Sequence, residues 1–408
     1  ALVAETGTNF VRIDNRATGT INGISGALQN VANDGLIDGG SGSAILSSGQ
    51  ASVSNSGRIL SNSAVATIQG TSVSVTNNGT VRNDGSGAAI LSTGTLRVDN
   101  RAGGVIATNG GVAIRAGEQV DILNAGTITG SILAGTGQYS GSTIDNLAGT
   151  IDGSIQFGSS NDVLKARFDS AAGRIAGITG AINGGAGVDQ LQLGISADAT
   201  LGQAALPTDF EQLSLQIANN SVVTIASTNG TAYGITASGS GRLVNAATLV
   251  TSGSAITTDW SGYDSRLDVE NSGSITATLA SPYLAAVRVY PGSFTNSGSV
   301  TSNGGTGVQV SSNGSPPTLL TNSGSITATG TAALLDYARL ANSGAITSTA
   351  GVGVTLFRGH DNEASVNSGT ISGATAGVTA YAARLVNGGT ISGGTTGIVA
   401  DDLRLDNR

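Results

Sequence analysis

The stretch Asn342-Ser343-Gly344-Ala345-Ile346-Thr347-Ser348-Thr349-Ala350-Gly351-Val352-Gly353-Val354-Thr355-Leu356-Phe357-Arg358-Gly359-His360-Asp361-Asn362-Glu363-Ala364-Ser365-Val366-Asn367 holds one full period of the chain. Asn342-Ser343-Gly344 turns the backbone, and Ala345-Ile346-Thr347-Ser348 then sets an apolar residue among small polar ones. That is the period-two signature of a strand with one buried face. A glycine-containing corner leads into Val352-Gly353-Val354-Thr355-Leu356, and a second corner leads into Ala364-Ser365-Val366 and the next anchor at Asn367. Three strands and three corners predict a triangular coil.

The anchor Asn-x-Gly-x-[Ile/Val] recurs at Asn33, Asn55, Asn77, Asn124, Asn271, Asn296, Asn322, Asn342, Asn367 and Asn387. Consecutive anchors lie about 20 to 26 residues apart, the range in which one repeat is one supersecondary unit that buries its apolar face only against a stacked neighbour. The fold class expected is all-β: a single-stranded parallel β-helix (β-solenoid) with three strands per coil. About eighteen coils stacked at about 4.8 Å would make a rod on the order of 85 Å long. So narrow an interior is expected to take small and medium side chains and to leave large ones in loops or on the surface. The asparagine corners are read as structural: Asn tolerates the left-handed backbone region, Gly two residues on permits positive φ, and equivalent asparagines can bond to one another along the axis.

Composition narrows the function. Gly accounts for 63 of 408 residues and charged residues for 11%, yet Ile and Val recur in register, which separates this chain from a disordered linker. Net charge is -8 and the only lysine is Lys165, so the clustered cations that nucleic acid or anionic lipid would require are missing. There is no Cys, hence neither a disulfide framework nor a thiolate metal site. No window approaches eighteen consecutive apolar residues. The start at Ala1 carries no basic segment followed by an apolar run and is read as a processed or trimmed end.

One continuous solenoid is expected over 1-408, divided into regular coils at 1-146, irregular coils with Gly/Asp corners at 147-244, and regular coils at 245-408 with longer loops near 258-294. Asn15 and Asn100 open a longer variant, Asn-x-x-x-Gly-x-Ile, and Asn407 opens what reads as a third copy that breaks off at Arg408. Open solenoid ends expose strand edges and need a cap, a partner or more coils. Head-to-tail or lateral self-association into filaments is therefore among the expectations.

In the irregular region, Phe157-Gly158-Ser159-Ser160-Asn161-Asp162-Val163-Leu164, Gly184-Gly185-Ala186-Gly187-Val188-Asp189-Gln190-Leu191-Gln192-Leu193 and Asp209-Phe210-Glu211-Gln212-Leu213-Ser214-Leu215 each read as a corner followed by a strand. Together with the Asn-Ser-Gly coils, this combination resembles the β-solenoid passenger domains of Gram-negative autotransporters, along essentially the whole chain. The resemblance implies a right-handed coil, export, display at the surface of a Gram-negative cell, and membrane attachment only through a C-terminal β-barrel beyond Arg408; secretion by the two-partner route is the alternative. It implies a non-enzymatic adhesin or structural element whose partners are itself and a host surface, an abiotic surface or a surface glycan.

Candidate chemistry is sparse. Gly184 to Gln192 matches the calcium nonapeptide of RTX proteins, GGxGxDxUx, which makes Asp162 and Asp189 weak calcium candidates, although a single copy supplies too few oxygens. No catalytic residue and no other cofactor is expected. His360 with Asp401-Asp402 invites comparison with β-helix enzymes that cleave polysaccharides, but about two coils separate them, whereas paired carboxylates must lie within roughly 5-10 Å. Asp38-Gly39-Gly40-Ser41-Gly42-Ser43 has the wrong order for a serine-protease nucleophile motif. Trp260, Tyr263, Tyr283, Tyr290 and Phe294 place five of the fourteen aromatics within 35 residues. The first four are the binding candidates, as projecting side chains that could stack on sugars or anchor a partner. A passive stalk and a polysaccharide-degrading enzyme are the alternatives.

Overall fold

A computed structural model describes residues 12-27, 30-135, 141-202, 205-227, 234-259, 266-312, 318-358 and 363-408, with the backbone of Leu2-Val3. Apart from a 3-10 turn at Ala205, its regular structure is β among these residues, with strands pairing parallel to their neighbours. The chain is a β-solenoid of about 17 turns rather than the eighteen expected, with three sheets matching three strands per coil. Two compact units divide it: Ala1-Arg167 with Ile175-Gln192 and Pro207-Phe210, and Phe168-Arg174 with Leu193-Leu206 and Glu211-Arg408.

In the first unit, Asn30-Asn33, Gln50-Asn55, Ser72-Asn77, Leu96-Asn100 and Val120-Asn124 form one sheet, with like residues facing like. Val31, Val53, Val75, Val98, Ile122, Ile144 and Leu164 make one column down its inner side. A second column, Ile37, Ile59, Val81, Ile106, Ile128 and Ile151, is fully buried. The branched side chains recur because each occupies the same slot of a coil of fixed cross-section. Each such side chain stabilises the fold by about 1.5-3 kcal/mol when removed from water.

The second unit repeats the plan. Thr248-Thr251, Ser274-Thr278, Ser299-Asn303, Ser325-Ala328, Ala345-Ser348, Thr370-Gly373 and Thr390-Gly393 form a seven-stranded sheet. Its buried column is Leu249, Ile275, Val300, Ile326, Ile346 and Ile371. Strand positions in the quoted repeat are Ala345-Ser348, Val354-Phe357 and Ser365-Asn367, close to those its pattern predicts.

One expectation fails. Large side chains are not confined to loops and surface: Phe210 and Phe294 are fully buried and Phe157 nearly so. Phe294 takes a slot in the column between Val269 and Leu320. Phe157 and Phe210 meet edge to face with centroids 6.2 Å apart, filling the irregular coils where the asparagine corners are replaced.

Candidate functional site

The anchors assemble into two ladders of side-chain amides. In the first unit, Nδ2 of Asn15, Asn33, Asn55, Asn77, Asn100 and Asn124 each donates to Oδ1 of the next member, ending on Asn146, at 2.7-2.9 Å. In the second, the same bond runs through Asn245, Asn271, Asn296, Asn322, Asn342, Asn367, Asn387 and Asn407 at 2.7-2.8 Å. Most of these Nδ2 groups also meet a backbone carbonyl of their own corner, of the following corner or of both; Asn322 donates to the carbonyls of Gly324 and Ala345, both at 3.3 Å. All of these amides point the same way, so each bond polarises the next.

The physical reason expected for the corner needs correction. None of the anchor asparagines, nor the glycine that follows two residues later, has positive φ. Glycine is required by close approach instead. A Cβ at Gly344 would lie 2.1 Å from the carbonyl oxygen of Gly324, one at Gly324 2.0 Å from that of Gly298, and one at Gly298 1.9 Å from that of Gly273. The same approach lets Ser343 and Gly344 N-H both reach the Asn322 carbonyl, at 2.8 and 3.1 Å.

Asn146 and Asn245 are ladder members that the Asn-x-Gly-x-[Ile/Val] pattern misses. The signals were present: Asn146-Leu147-Ala148-Gly149-Thr150-Ile151 is an anchor with one extra residue, and Asn245-Ala246-Ala247-Thr248-Leu249 substitutes Ala for Gly. The ladders stop where apolar residues take the slot. Ala166 follows Asn146, one past the pair Asp145 and Lys165, and Ile225 pairs in register with Asn245.

In the irregular coils, aspartates take over the corner. Asp162 Oδ1 accepts from Ser142 N-H and its Oδ2 from Gly158 N-H at 3.2 Å, while Asp189 Oδ1 accepts from Asp162 N-H at 2.7 Å. Both side chains are buried. Burial pushes the Asp162 carboxyl above its ordinary value of 3.8, against the lowering effect of the Ser142 and Gly158 N-H bonds. The two calcium candidates therefore serve as acceptors for backbone N-H groups of neighbouring corners. A cation there would have to compete with those donors. No three His, Asp or Glu side chains converge to hold a metal among the described residues.

The binding candidates are scattered. Tyr283 projects, at 92% exposure, from the turn after Leu279, whereas Tyr290 is half-buried with its N-H on Thr258 Oγ1 at 2.7 Å. Trp260, Tyr263 and His360 lie outside the described residues.

A surface that the sequence reading did not single out is the outer side of the seven-stranded sheet. Thr248, Ser274, Ser299, Ser325, Thr370 and Thr390 form one outward column, interrupted by Ala345. Thr276, Thr301, Thr327, Thr347, Ser372 and Ser392 form the second, headed by Val250. No charged residue occurs in any of the seven strands. Hydroxyls thus repeat at about 4.8 Å along each column and about 6.7 Å between columns. The signal was the recurring [Ser/Thr]-x-[Ser/Thr] directly after the anchor glycine.

The chain matches no family model, no curated protein and no solved structure.

Proposed function

We propose that the chain is a non-enzymatic binding element displayed on the surface of a Gram-negative cell, a solenoid of the autotransporter passenger kind that attaches the cell to a host surface, an abiotic surface or a surface glycan. The observation that supports it most is the uncharged, two-column hydroxyl face of the seven-stranded sheet. Its side chains stand on strands fixed by the ladder on one side and a buried Ile/Val column on the other, so their positions are set before any partner arrives. Many weak contacts on such a surface add up to avidity without a single deep site. Self-association through the same kind of face, and a β-barrel beyond Arg408 as the membrane attachment, belong to the same proposal.

The test is display of the chain on an otherwise non-adherent Gram-negative cell, followed by attachment to glass, plastic and cultured epithelial cells under flow. Display should raise retention at least tenfold on one of these surfaces, and externally added protease should abolish the gain. Retention equal to that of the non-displaying cell on all three surfaces, with the chain confirmed outside by antibody labelling, would overturn it.

A further inference from the structure

Beside its two hydroxyl columns, the seven-stranded sheet carries an asparagine placed to react with its own backbone. Asn303 closes the strand Ser299-Asn303, faces outward two residues beyond Thr301, and stands in register with Thr278 of the preceding coil. It is exposed, and its side-chain amide takes part in no hydrogen bond among the described residues. Gly304 follows with φ of +111°, and its N-H is likewise donated to no group among the described residues. Strands pair on both sides of this one, Ser274-Thr278 before it and Ser325-Ala328 after it, so the free N-H belongs to the corner itself.

Three other Asn-Gly corners are restrained. Gly79, after the exposed Asn78, bonds through its N-H to the Asn55 carbonyl at 3.2 Å. Gly110 N-H bonds to Thr108 Oγ1 at 2.9 Å, while Asn109 Nδ2 donates to the Asp84 carbonyl at 3.2 Å. Asn183 Nδ2 donates to Asp209 Oδ2 at 3.0 Å, its Oδ1 accepts from Gly185 N-H at 2.8 Å, and Gly184 N-H reaches the Thr208 carbonyl at 3.4 Å. A backbone nitrogen becomes a nucleophile only when it loses its proton, and a proton held in a hydrogen bond is harder to remove. Glycine leaves that nitrogen unshielded, since it has no Cβ. An exposed amide next to a free glycine N-H is therefore the thermolabile kind of asparagine.

We propose that Asn303-Gly304 is a self-modification site, which converts to aspartate and isoaspartate as the chain ages and thereby weakens binding through the hydroxyl face. Solvent base takes the Gly304 N-H proton, the nitrogen attacks Cγ of Asn303, and the side-chain nitrogen leaves as ammonia with a proton from solvent, closing a succinimide. Water then opens the ring: attack at Cγ gives aspartate, and attack at the α-carbonyl gives isoaspartate, whose chain runs through Cγ. One water is consumed and one ammonia released, with no oxidant or reductant. Either product places an ionised carboxylate on a sheet whose seven strands hold no charged residue. A carboxylate gives up its hydration only at a cost, so it opposes close contact through that face. The loss of binding rests on the hydroxyl face being the binding surface; the conversion itself does not.

The experiment ages the full chain in warm, mildly alkaline buffer and follows each asparagine by peptide mapping with tandem mass spectrometry. Adsorption to the surface that retains displaying cells is measured at each time. Asn303 should convert at least tenfold faster than Asn78, Asn109 or Asn183, and adsorption should fall with the same time course at an unchanged melting temperature. Fresh Asn303→Asp should adsorb at least fivefold more weakly than the fresh native chain, and Asn303→Gln should keep through ageing whatever adsorption it starts with. Conversion at Asn303 no faster than at Asn78 would overturn the modification site. Asn303→Asp that adsorbs as the native chain does, where Thr301→Glu/Thr327→Glu does not, would overturn the effect on binding alone. Should Asn303→Asp melt early, the paired time courses of conversion and adsorption in the native chain decide instead. If no surface retains displaying cells, the adhesin function fails and the effect on binding with it, whereas the peptide map still decides the conversion.

Discussion

At the scale of single residues, the ladder asparagine and the corner glycine do different work, and each can be tested alone. Asn322 receives a bond from Asn296 and gives one to Asn342 inside the coil stack. Asn322→Ala strands the Asn342 acceptor and one donor of Asn296 in a buried site, at a cost of about 2-3 kcal/mol, read as a lowered urea midpoint. Asn322→Asp should cost more, because a carboxylate would face the Asn342 oxygen without a proton to share. Asp162 gives a pH signature. Its native pKa is raised by burial, so between 3.8 and the raised value the folded chain holds more protons than the unfolded one, and stability falls as pH rises through that window. Comparing urea midpoints of native chain and Asp162→Asn from pH 3.5 to 6 should show that slope in the native chain and its loss in the variant. Equal slopes would contradict the burial of that carboxyl. The Asn-x-Gly rhythm made these positions legible in the sequence, while their reason was not: positive φ is a local property, and the contact that excludes a Cβ is with a glycine carbonyl about twenty residues away.

At the scale of the coil, stacking decides which glycines matter. A Cβ at Gly344 would meet the Gly324 oxygen at 2.1 Å, whereas one at Gly253 would meet nothing within 4 Å, with no positive φ to strain it. Gly344→Ala should therefore lower the melting temperature by several degrees. Gly253→Ala should leave it unchanged or raise stability by about 0.4-1 kcal/mol through the unfolded chain. Equal effects at the two positions would contradict the close-approach explanation. Three strands per coil could be read from the period-two pattern between corners, because each apolar residue returns to the same slot. Phe157, Phe210 and Phe294 in the interior could not, since a column accommodates one ring where its neighbours are Val or Leu and no single repeat shows its neighbours. Asn146 and Asn245 escaped a fixed spacing for a related reason: the ladder fixes the amide's position and tolerates one more residue, or an alanine, in the corner that follows.

At the scale of the whole molecule, the proposed function rests on surfaces generated by repetition. The hydroxyl columns exist because the residue after each anchor glycine and the one two further on face outward in coil after coil, and the uncharged sheet is their sum. A motif search tuned to clustered chemistry passes over such a face, whereas it stops at Asp162 and Asp189, whose carboxylates accept from backbone N-H groups. The stacked rings of Phe357 and Tyr381, with centroids 4.8 Å apart, were equally invisible, since one coil separates them in sequence and only the register brings them together. Substitutions on the hydroxyl face should separate binding from folding, because Thr301 and Thr327 point outward and surface changes of this kind shift stability by about 0.5 kcal/mol or less. The most direct measurement is adsorption of the purified chain, by quartz-crystal microbalance, to the surface that retains displaying cells, native against Thr301→Glu/Thr327→Glu. At least a tenfold loss of adsorption with an unchanged melting temperature is predicted; adsorption equal to that of the native chain would contradict the assignment of this face as the binding surface.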